Sequence, residues 1–148
     1  MFGHPLHPIV VHFPLALLLS ASFADLARVA GLTSDTHIAA ILMAGGLAMG
    51  LVAMGAGLVD FTKLEPSVVP HALQHMGVMG IAWLGYAIAL YLRRDLFTGA
   101  TDIGNATIAL SVVSALVLSF GGFLGGRLVY TFGAGVSPRK SAGSRSPE

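Results

Sequence analysis

Four runs of mainly apolar residues, 9–30, 38–59, 72–92 and 106–123, divide this 148-residue sequence. A helix needs about 20 such residues, at 1.5 Å each, to cross a hydrocarbon core about 30 Å thick. Backbone inside lipid has no water to bond, so an uninterrupted apolar run of that length must satisfy its amides within a helix. The joints carry the expected punctuation: Gly31 to His37, then residues 60–70 with two prolines, then residues 93–105. The reading is an all-α, four-helix transmembrane bundle running up, down, up, down over residues 1–136. Residues 137–148 turn to Ser, Pro, Arg and Lys, which cannot bury enough apolar surface to order themselves, and read as a disordered tail.

Composition narrows the chemistry. Only 10% of residues are charged, against about a quarter in a soluble domain. Eight basic and seven acidic residues leave a net charge of +1 with no basic block, which argues against nucleic acid as a partner and leaves the lipid bilayer. Cysteine is absent, so disulfides, thiolate metal sites and iron–sulfur ligation are excluded. There is no phosphate loop, dinucleotide fingerprint, zinc-protease helix or nucleophile elbow. These absences favour a cofactor-binding or electron-transfer protein over a stand-alone enzyme. The segment before the first run lacks Lys and Arg, so that run reads as a span rather than the core of a cleaved leader.

Short joints force antiparallel neighbours, which sorts the polar residues between two membrane faces. Residues 1–8, the joint at 60–71 and the stretch from Gly125 share one face, here face A; residues 31–37 and 93–105 share face B. Five of the six histidines, His4, His7, His12, His71 and His75, fall at face A, and only His37 at face B. His12 lies four residues past Pro8 and His75 five past Pro70, so the two reach similar depths and should both face the bundle interior, where ring nitrogens find partners. His71 and His75, four apart, share a helix face. Each proline of His4-Pro5-Leu6-His7-Pro8 pushes the residue before it toward an extended conformation, so this segment should fold over the pocket as a lid. Arg127 and Tyr130 return to the same face at the end of the fourth helix.

Three functions are compatible with this cluster. In the first, His12 and His75 are axial ligands of a b-type haem used for electron transfer, with His71, Arg127 and Tyr130 around its propionates and a redox partner protein or quinone as counterpart. In the second, three or four of His4, His7, His12, His71 and His75 hold zinc or copper, with Met54, Met76 and Met79 as soft donors suited to copper(I). In the third, the chain is a structural subunit or anchor of a membrane complex, or a homo-oligomer, and its histidines are interhelical glue. Gly46 and Gly50, and the pairs Gly121/Gly125 and Gly122/Gly126, either permit close helix contact or make room for a macrocycle. Pro14 frees a carbonyl near residue 10 and kinks the first helix beside His12. Asp25 and Arg28, three apart, read as a local ion pair, with a proton relay as the functional alternative. Lys63, Arg127, Arg139, Lys140 and Arg145 at face A against Arg28, Arg93 and Arg94 at face B favour both termini in the cytoplasm of a bacterial inner-membrane protein.

Two strings carry a family resemblance: Gly3-His-Pro-Leu-His-Pro-Ile-Val-Val-His-Phe-Pro14, and Gly122-Phe-Leu-Gly-Gly-Arg-Leu-Val-Tyr-Thr-Phe-Gly-Ala-Gly-Val136. The chain resembles the bacterial membrane family called domain of unknown function 2231 over nearly its whole length. The resemblance implies four spans and a histidine opening the third, here His75. Some members look joined to Rieske iron–sulfur domains, which implies electron transfer by association. Relatives often carry His where Phe132 stands here, so a site using that position would be one ligand poorer in this chain.

Overall fold

The structure, a computed structural model, describes residues 7–95 and 103–134. A short α1 (His7–Val10) leads into α2 (His12–Val29), followed by α3 (His37–Phe61), α4 (Val69–Leu92) and α5 (Asn105–Tyr130). The last four are long and apolar enough to span a membrane, and no strand occurs among the described residues. The fold is the all-α four-helix transmembrane bundle. His4 and the tail at 137–148 lie outside the described residues.

Each boundary has a local cause. Pro14 has no N–H for the carbonyl of Val10, and the helix is interrupted at Val11, between α1 and α2. Gly31, at φ +73°, ends α2; its N–H and that of Leu32 return to the carbonyls of Arg28 and Ala27, a left-handed cap that favours glycine. The Asp35 carboxylate opens α3 by accepting from the N–H groups of His37 (2.7 Å) and Ile38 (3.2 Å). Pro70 sits in the first turn of α4, where a missing N–H is harmless. Helix α5 runs seven residues past the expected end at Phe123 and stops before Gly133, at φ +65°. Gly125 and Gly126 do not break it, because no water competes for helical hydrogen bonds in lipid and glycine is tolerated there.

Helix α2 packs along α3 and α4 along α5, while α2 against α5 and α3 against α4 close the ring. The residue sizes are distributed inside out. The interior sets the small residues Ala21, Ala40, Gly46, Gly50, Ala82, Ala89, Ser111 and Gly121 around a few large ones, Leu18, Met43, Tyr86 and Leu118, whereas Phe13, Phe23, Ile41, Leu84, Leu116 and Phe123 face outward. Lipid solvates large apolar side chains as well as a core does, so helices gain from close approach rather than from hiding them. A Cβ on Gly46 would lie 2.7 Å from Leu18 Cγ, and one on Gly50 2.9 Å from Trp83 Cδ1. Trp83 Nε1 donates to the Leu47 carbonyl at 3.1 Å, tying α4 to α3.

The local Asp25–Arg28 pair is corrected. Asp25 pairs instead with Arg93, whose Nη2 donates to Asp25 Oδ2 at 2.5 Å, with both side chains buried. The reason is geometric: Leu18, Ala21, Ser22 and Asp25 form the inward stripe of α2, while Ala82, Tyr86, Ala89 and Arg93 continue the inward stripe of α4. Arg93, counted as a face B loop charge in the sequence, is 1% exposed.

Candidate functional site

At face A the described histidines separate into three environments. His12 is exposed on the outer side of α2, which corrects the expectation that it faces the interior opposite His75. Pro14, two residues on, is the buried one: at 100° per residue, positions 12 and 14 lie on nearly opposite sides of a helix, and it is Pro14 that approaches Gly50. His71 stacks on Phe132, ring centroids 4.2 Å apart and planes 19° from parallel. The partner that His75 meets is His7, at a centroid distance of 6.2 Å and an interplanar angle of 79°.

His7 and His75 are held by the same device on different helices. His7 Nδ1 lies 2.8 Å from the carbonyl oxygen of Ala53 on α3, and its backbone N–H donates to Asp60 Oδ2 at 3.2 Å. His75 Nδ1 lies 2.9 Å from the carbonyl oxygen of Gly121 on α5. A carbonyl only accepts, so each Nδ1 carries the hydrogen, and Nε2 is the nitrogen at which a neutral ring would present its lone pair. Neither Nε2 has a hydrogen-bond partner among the described residues. Glycine makes both seats possible. A Cβ on Gly57 would stand 3.1 Å from His7 Nδ1, and one on Gly125 2.9 Å from His75 Cε1. Both rings therefore lie flush on helix backbone.

The remaining candidates do not converge on this pair. Tyr130 is 92% exposed, and Arg127 lines a separate shallow depression with His71, Gln74, Leu124 and Phe132. Met79 fills the hollow over Gly121, where a Cβ would crowd its Sδ. Asp60 is engaged by Lys63 Nζ at 3.3 Å. No group of three or more His, Asp or Glu side chains spaced to hold a metal occurs among the described residues. His4 to Leu6 of the expected lid lie outside those residues, while His7 points inward.

A haem between these helices needs a flat hollow as well as two ligands. The hollows over Gly46, Gly50, Gly121 and Gly125 are filled by Leu18, Trp83, Met79 and His75 themselves. With His12 outward, the residues present do not fit a macrocycle bound by His12 and His75.

Face B carries the polar group that sequence reasoning missed. Asp25 Oδ2 accepts from Arg93 and from Ser111 Oγ. Arg93 Nη1 donates to the Ala89 carbonyl and Met43 Sδ, both at 3.2 Å, and its buried Nε has no partner among the described residues. Ser22 Oγ donates to the Ser111 carbonyl at 2.9 Å, which leaves the Tyr86 hydroxyl to donate to Ser22 at 2.8 Å. All four spanning helices meet in this network. The signal was available in the stripe Ala82, Tyr86, Ala89 and Arg93, which extends one helix face past the last apolar residue. An open cleft of about 670 Å³ beside it, lined by residues including Arg28, Thr33, Ser34 and Asn105, contains no histidine.

Comparison with known proteins agrees with this architecture. No curated protein and no solved structure matches the chain. One family does, under the description "Predicted membrane protein (DUF2231)", over residues 3–138. That match takes in both terminal motifs, all four spans and the His7–His75 pair, so the chain belongs to the membrane-protein family named for domain of unknown function 2231.

Proposed function

We propose that this membrane protein binds a transition-metal ion at face A through Nε2 of His7 and His75. The observation that carries the reading is the matched anchoring of the two imidazoles: each Nδ1–H is spent on a backbone carbonyl, 2.8 and 2.9 Å away, and neither Nε2 has a hydrogen-bond partner among the described residues. A hydrogen bond from one ring nitrogen to a carbonyl is how proteins fix the tautomer and direction of metal-ligating histidines. Zinc and copper are among the ions suited to neutral imidazole. The Lys and Arg distribution favours placing the site on the cytoplasmic side of a bacterial inner membrane.

The test is metal analysis and absorption spectroscopy of the full chain purified into lipid nanodiscs. One equivalent of zinc or copper, lost in His7→Ala and in His75→Ala but kept in His12→Ala, supports the reading. A Soret band in the same preparation would return the assignment to b-type haem. Absence of both metal and colour after loading would leave the histidines as interhelical glue.

A further inference from the structure

We infer that the His7–His75 pair is a two-coordinate site selective for monovalent copper over divalent zinc; this rests on the metal-ion reading above. Three observations point the same way. The first is spacing. Two metal–nitrogen bonds of about 2.0 Å, each with about 1.1 Å from nitrogen to ring centre, put the centroids about 6 Å apart in a linear site and about 5 Å apart in a tetrahedral one. The observed separation is 6.2 Å. For two Nε2 atoms that face each other across the ion, the 79° between planes is no obstacle, since rotation about a linear N–metal–N axis is free.

The second is ligand count. Zinc takes four ligands, three from protein in an open site, and the described residues assemble no group of three. The third is charge. A ligating imidazole brings no negative charge, both rings are half-buried at the end of the bundle, and the Asp60 carboxylate beside His7 is already matched by Lys63. The Born penalty for moving an ion out of water grows with the square of its charge, so a divalent ion loses roughly four times as much solvation as a monovalent one. Without a carboxylate to offset it, the site discriminates against the divalent ion. Linear coordination by two imidazoles is a geometry that monovalent copper accepts and zinc does not.

The experiment is an anaerobic titration of nanodisc-embedded full chain with copper(I) against a colorimetric copper(I) chelator, paired with a zinc titration and X-ray absorption of the copper-loaded sample. We expect one copper(I) per chain, a two-nitrogen linear signature at the copper edge, and zinc binding weaker by at least about 100-fold. His7→Ala and His75→Ala should each weaken copper(I) by more than about 10-fold, and His71→Ala should not. The absorption edge reads the unsubstituted protein, so a variant that fails to fold does not decide the matter. Zinc bound as tightly as copper through these two histidines would overturn the selectivity and leave the metal site standing. Three- or four-coordinate copper would overturn the two-coordinate geometry. No binding of either ion would overturn both inferences.

Discussion

Replacing Asp25 by Asn removes one negative charge from the point where all four spanning helices meet, with almost no change in volume. Arg93 then keeps its guanidinium charge, because arginine is not deprotonated in proteins. Its remaining partners are the Ala89 carbonyl and Met43 Sδ on Nη1, and Nε is already unpartnered. Breaking a buried pair by removing one side costs about 3–5 kcal/mol, a large share of the roughly 5–15 kcal/mol that separates a folded domain from its unfolded state. The reverse substitution, Arg93→Met, is milder, at about 1–3 kcal/mol, because Asp25 keeps the Ser111 hydroxyl as a donor to the same oxygen. The Asp25→Asn/Arg93→Met double variant removes both charges and should be more stable than Asp25→Asn alone. Trp83, the only tryptophan, bridges α4 to α3 and reports the transition by fluorescence as folded protein in mild detergent is titrated with a denaturing one. Equal losses for the two single variants, or a double variant less stable than both, would refute the argument that an uncompensated arginine is the source of the destabilisation.

Gly46→Ala should destabilise the bundle by about 1–3 kcal/mol, since its Cβ meets the Leu18 side chain at 2.7 Å and the Leu18 backbone nitrogen at 3.2 Å; Gly55→Ala, with open space around it, should be neutral or stabilising by up to about 1 kcal/mol in the same assay. Gly125→Val should displace the His75 ring from its seat and lower metal affinity about 10-fold or more while circular dichroism still shows a helical protein. With both termini cytoplasmic, a cysteine at Ser34 should react with an impermeant thiol reagent in intact spheroplasts and one at Ser67 only after lysis; the opposite pattern would invert the orientation.

The bundle was legible in the sequence because spanning length is a one-dimensional property: 18 to 26 residues of apolar helix announce themselves without any knowledge of packing. Face assignment was legible too, and it brought His7 and His75 to one end from positions 68 apart. What failed was rotation about the helix axis. His12 lies at the depth of a ligand but on the outer side, because the inward stripe of α2 runs through Pro14, Leu18, Ala21, Ser22 and Asp25 and position 12 lies off it. The same blindness assigned Asp25 to Arg28, its neighbour at i+3, when the partner that completes it comes from α4. Glycine gave the better clue to rotation: Gly46, Gly50, Gly121 and Gly125 mark helix faces that touch something.

The two polar pairs lie at opposite ends of one seam. His7, bonded to α3, belongs with the α2–α3 hairpin, and His75 with α4–α5; Asp25 on α2 and Arg93 on α4 divide in the same way. Between them the seam holds the core side chains Leu18, Met43, Leu47, Tyr86 and Leu118, with Trp83 of α4 reaching across to the Leu47 carbonyl of α3. A slide of one helical turn, about 5.4 Å, would break the ion pair at face B and part the imidazoles at face A in the same motion. Two hairpins inserted separately into the bilayer thus have one docking register that satisfies both ends. The buried charges then act as an alignment gauge for the histidine pair at the other end of the bundle.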